Sequence, residues 1–114
     1  MEPIFKLVYE MVVTAHVAHL QSKSYAEHVT LKEVYEELPE LLDSIMETYQ
    51  GKYGSVCKDI GSISPGNLSN YQEYLNRLLR YLESQLPTYT LDIQDEVLTM
   101  VNFLNSIKYK LTLK

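Results

Sequence analysis

The apolar residues Leu31, Tyr35, Leu38, Leu42, Ile45 and Tyr49 recur at alternating spacings of four and three. That period places them on one face of an α-helix and would scatter them over both faces of a strand. A single apolar stripe needs another element to cover it. Three more segments carry the same period: Ile4, Leu7, Val8, Met11, Ala15 and Ala18; Tyr71, Leu75, Leu78 and Leu82; and Ile93, Val97, Met100, Leu104, Ile107 and Leu111. No stretch alternates convincingly with period two, and no segment repeats. The expected fold is therefore all-α, with four helices covering one another's stripes around one core. At 114 residues, 46% of them hydrophobic, residues 1–114 form a single domain.

Local signals divide the chain. Pro3 suits the first turn of the first helix, and a break follows near Gln21–Ser24. Ser24 and Glu27 have the spacing of a capping box and open the second helix, in which Pro39 is expected to make a kink. From Gly51 to Asn70 the period lapses among Gly51, Gly54, Gly61, Pro65, Gly66 and several serines. A connection of that length can run from one end of a bundle to the other. The third helix stops at Pro87, and the fourth is expected to start near Asp92 with Asp95 at a capping-box position. Two helical hairpins joined by a long crossover describe a four-helix bundle of ferritin-like connectivity.

Composition excludes several functions. The net charge is −5, and the ten Lys and Arg are scattered rather than clustered, which disfavours DNA binding. No run is long enough to span a bilayer, and no signal peptide opens the chain. The single Cys57 rules out an internal disulfide and suits a reducing compartment, so a cytoplasmic location is expected.

The polar residues of the second helix carry the functional signal. At about 100° per residue, Lys32, Asp43 and Glu47 lie roughly 40°, 60° and 100° round from His28, beside the apolar stripe rather than on it. His16 and His19 return to the neighbourhood of His28 across the hairpin turn. Imidazoles and carboxylates in register are metal-ligand chemistry. Yet His28 and Asp43 are fifteen residues apart, about 22 Å along a helix, and cannot share an ion within one chain. A second copy packed antiparallel would set one chain's His16, His19 and His28 against the other's Asp43 and Glu47. Iron is the expected ion, with zinc or manganese as alternatives.

His16, His28 twelve positions on, and then Asp43 and Glu47 resemble the ferroxidase signature of the Dps-type mini-ferritins. The likeness covers roughly residues 14–50. It implies a dinuclear iron site across a twofold interface and ferrous oxidation inside a twelve-subunit shell. The stretch from His19 to His28 and the tail from Asp95 to Leu113 are similar to short ferritin-like proteins encoded by bacteriophages, which places the chain in a host cytoplasm. Two positions depart from the mini-ferritin pattern. Lys32 stands where that family has an Asp ligand, and Val17 (or Leu20, if His19 is aligned) stands where it has an aromatic. Glu27 or Glu36 is a candidate to replace the lost carboxylate. A charged Lys opposes a second cation, so a mononuclear or impaired centre is expected in place of a full ferroxidase.

Lys32 also opens a second class of function. With Lys23, the three histidines and the ring of Tyr25, it can line a cationic pocket for a phosphorylated or nucleotide-like ligand, or for an acidic host protein. Fold alone does not decide between the two.

Overall fold

A computed structural model of the chain describes residues 2–55 and 57–113, with the side chain of residue 2 outside the description. Four helices form the bundle: α1 (Glu2–Gln21), α2 (Tyr25–Tyr53), α3 (Tyr71–Gln85) and α4 (Leu91–Lys110), with a single 3-10 turn, Leu86–Thr88, between the last two. No strand occurs among the described residues. The molecule measures 45 × 27 × 21 Å, its long axis set by the 29-residue α2.

Ser24 caps α2 as expected, its hydroxyl accepting the N–H of Glu27. The reciprocal half of the box is absent. The Glu27 carboxylate turns to the hydroxyls of Ser22 (2.5 Å) and Tyr71 (2.8 Å), and the Ser24 N–H donates to Ser22 instead. Helix α2 runs unbroken through Pro39 and past Gly51, and ends only where Gly54 adopts φ +70 and donates its N–H to Gln50. That left-handed position is one a residue with a Cβ rarely takes. The fourth helix starts one residue earlier than expected, behind Thr90. Asp92 therefore lies in its first turn and Asp95 beyond the capping register.

The crossover runs the length of the bundle. Its backbone N–H groups at Ser64, Gly66 and Leu68 donate in turn to Glu10, Thr14 and Gln21, which lie along one side of α1. Glu10 and Thr14 are buried because the crossover covers them. Helix α3 consequently begins beside the start of α2, where Tyr71 meets Glu27, and runs in the same direction as α2. Helix α4 returns against α2, tied by Lys52–Asp92 at one end, Thr48–Glu96 between, and Lys110–Glu33 at the other.

Most of the expected stripes are buried, from Ile4, Val8 and Met11 through Leu31, Leu38 and Leu42 to Val97, Leu104 and Ile107. Leu7, Tyr35, Tyr49 and Leu111 are only half-buried, while Val34 and Met46 of α2 are buried in addition. Tyr35 stays at the edge because its ring lies flat against His16.

Candidate functional site

The short turn between α1 and α2 brings residues 16, 19 and 28 together. His19 Nδ1 is 2.6 Å from the carbonyl oxygen of His28, and His28 Nδ1 is 2.7 Å from the carbonyl oxygen of His19. A carbonyl only accepts, so each Nδ1 carries the hydrogen and donates. The two imidazoles are stacked with centroids 3.6 Å apart and planes 18° from parallel. This reciprocal pair closes the mouth of the hairpin. His19 is buried, His28 half-buried.

His16 extends the ladder. Its exposed ring stacks on Tyr35 at 4.1 Å and meets His19 edge-on at 6.2 Å, and Tyr35 in turn meets His19 edge-on at 5.3 Å. Four rings from two helices thus form one continuous cluster on the outer side of the α1–α2 hairpin.

The bonding pattern bears directly on metal chemistry. A ring that donates from Nδ1 to a carbonyl has its tautomer fixed and presents the Nε2 lone pair, as metal-bound imidazoles do. His19 and His28 both have that arrangement, and neither Nε2 is buried without a partner among the described residues. Near-parallel planes keep two in-plane lone pairs from converging on one ion. The stacked pair therefore offers a single ligand to a given metal, with exposed His16 beside it as a second.

The acids lie elsewhere. Asp43 and Glu47 are exposed on the outer face of α2, toward the opposite end of the helix. No group of three or more His, Cys, Asp or Glu within reach of one metal ion occurs among the described residues. The chain by itself assembles the histidines and leaves both carboxylates apart from them. Glu27 is engaged with Ser22 and Tyr71, and so does not replace the carboxylate that Lys32 displaces; Glu36 is exposed.

Lys32 is exposed one turn beyond His28 and forms no ion pair among the described residues. Lys23 and Tyr25 are exposed at the hairpin turn, Tyr25 at 82%. The polar clamps along α1 left no trace in the periodicity. Glu10, Thr14 and Gln21 share one side of that helix, a spacing that signals a covered polar seam only when its partner backbone is known.

At the far end of α2, the Glu96 carboxylate accepts the Thr48 hydroxyl at 2.6 Å through one oxygen, while its other oxygen is buried without a partner. At the near end, burial and the bond to Glu27 push the Tyr71 phenol up to about 12. Burial, with Tyr81 alongside, does the same for Tyr89.

Fold and site together define a small all-helical bundle with a histidine ladder on one hairpin. No helix among the described residues is long and apolar enough to cross a membrane. The chain belongs to DUF5856, a family of unknown function, whose model matches residues 19–111. That span takes in His19, His28, Asp43 and Glu47 and begins after His16. No curated protein and no solved structure matches the chain.

Proposed function

We propose that this protein is a ferritin-like bundle that binds one divalent metal ion per site, iron foremost, with zinc or manganese as alternatives. Two copies build each site. His16 and His28 of one chain supply imidazole nitrogen, Glu47 and Asp43 of the other supply carboxylate oxygen, and buried His19 positions His28. The observation that supports this reading best is the pair of Nδ1–carbonyl bonds, which orient His19 and His28 as metal-ligating imidazoles are oriented. Mixed imidazole and carboxylate ligation fits iron, zinc and manganese alike. Bound iron would supply redox chemistry; the chain's own part is to hold the ion at an exposed hairpin face. Lys32, one turn from His28, opposes a second cation there, so a dinuclear ferroxidase is not part of the proposal.

The test is elemental analysis of protein loaded anaerobically with ferrous iron, compared with Asp43→Ala/Glu47→Ala. About one metal per chain in the wild type, lost in the variant, is expected. The absence of stoichiometric metal from both would sink the reading. The ammonium of Lys32, which forms no ion pair among the described residues, favours the second reading, an anionic or nucleotide-like ligand held with Lys23 and Tyr25. Under that reading, inorganic phosphate or a nucleotide would bind the wild type and not Lys32→Ala.

A further inference from the structure

Between α2 and α4 lies a cavity of about 180 Å³, lined by Leu41 and Ser44 of the first helix and Glu96 and Thr99 of the second. Ser44 and Thr99 are exposed, so the cavity opens to solvent between them. Glu96 carries the one buried side-chain polar atom among the described residues that has no hydrogen-bond partner, its Oε2. A buried carboxylate oxygen costs free energy unless a donor or a positive charge meets it. The neighbouring threonines do not supply that donor. Thr48 donates its hydroxyl hydrogen to Glu96 Oε1 at 2.6 Å, and Thr99 donates its own to the Asp95 carbonyl at 3.0 Å. Thr99 therefore brings only lone pairs to the cavity, and Ser44 adds a hydroxyl that can accept.

The charges round the mouth act in the same direction. Glu37, Glu40, Glu47 and Asp95 are exposed, and each stands one helical turn from a lining residue. None of them forms an ion pair among the described residues. Lys52, one turn beyond Thr48, is paired with Asp92. The cavity is thus rich in acceptors and negative charge and short of donors.

The donor set selects among cations. A hard metal ion takes six or more oxygens, whereas no group of three or more His, Cys, Asp or Glu within reach of one ion occurs among the described residues. A guanidinium bonds a carboxylate through both oxygens, and Glu96 Oε1 is already engaged. A primary ammonium has three N–H donors and no acceptor. Glu96 Oε2, Ser44 Oγ and Thr99 Oγ1 are three acceptors. Leu41 offers apolar surface to the alkyl chain behind the ammonium.

We infer that this cavity binds the terminal ammonium of an alkylamine, with Glu96 as its counter-charge. The amine is either a free polyamine, whose other ammonium groups would lie against the rim carboxylates, or a lysine side chain of another protein. The inference uses none of the histidines and does not depend on the metal reading; Glu47, at the rim, is the only residue the two share.

Isothermal titration calorimetry of chelator-treated protein at fixed ionic strength, with n-butylamine and with 1,4-diaminobutane, tests this. One amine per chain is expected. Glu96→Gln keeps an acceptor for Thr48 and should weaken both amines at least about tenfold. Ser44→Leu fills the mouth from an exposed position and should do the same, so the test holds even if Glu96→Gln fails to fold. Tetramethylammonium, equal in charge but without N–H, should not compete. Diamine bound at least about threefold tighter than monoamine assigns the site to a free polyamine, and equal binding assigns it to a lysine side chain. The absence of saturable binding, an unchanged affinity in either folded variant, or competition by tetramethylammonium would overturn the inference. Iron content of Glu96→Gln should equal that of the wild type, so the amine site and the metal site fail separately.

Discussion

Replacing His19 with alanine removes a buried ring, strips the carbonyl of His28 of its donor and leaves the His28 ring unstacked. A loss of about 2 kcal/mol in urea unfolding is expected. His16→Ala removes an exposed ring that stacks on Tyr35, and should lower stability by no more than about 0.5 kcal/mol. Equal losses would show that the reciprocal bonds of His19 and His28 are not what closes the hairpin. Gly66 is equally specific for a different reason. A Cβ there would overlap the Asn70 amide, which receives the Asn67 N–H, and the Tyr74 ring. Gly66→Ala should therefore destabilise by about 1–3 kcal/mol in thermal unfolding, although its backbone angles are ordinary. Tyr71 gives a pH signature. The fold holds its phenol neutral up to about 12, against 10 when unfolded. The stability this contributes is complete below pH 10 and is lost as pH rises through 12. Ultraviolet titration should show Tyr71 and Tyr89 ionising last among the tyrosines, and Tyr71→Phe should flatten the alkaline fall in stability.

The helices were legible because their signals are local. The three-and-four spacing of Leu31 through Tyr49 lies within one element, and Ser24 caps a helix whose first turn adjoins it in sequence. The elements whose ends shifted did so for reasons further away. Helix α2 continues past Gly51 until Gly54 supplies a left-handed cap, and α4 begins behind Thr90 because Asp92 folds back on the Thr90 hydroxyl. The seat of the crossover was not legible at all. It depends on which backbone N–H groups meet Glu10, Thr14 and Gln21, and no spacing within either segment records that alignment. Removing the first clamp tests it. Glu10→Ala should raise amide exchange across residues 61–69, while Glu10→Gln, which keeps an acceptor for Ser64, should leave most of the protection in place. If both variants exchange alike, the carboxylate is not the anchor. The candidate site divides in the same way. The histidine ladder was readable because a short turn joins its helices, whereas the reciprocal bonds that bury His19 and the commitment of Glu27 to Tyr71 required the packed structure.

At the scale of the whole molecule, opposite ends of α2 carry imidazoles and carboxylates that a single chain never brings together. The histidines sit at the hairpin turn, the acids toward the far end of α2, and an apolar side of α1 runs between them. The proposed two-chain site rests on that distribution. The most direct measurement is the metal content of a mixed dimer. One chain carries His16→Ala/His28→Ala and the other Asp43→Ala/Glu47→Ala, purified together through two different affinity tags. Neither variant alone can complete a site. The mixed dimer retains one intact set of histidines facing one intact set of acids, so it should hold half the iron per chain of the wild type. A mixed dimer with no metal, or a parent variant that binds as much as the wild type, would contradict a site built by two chains.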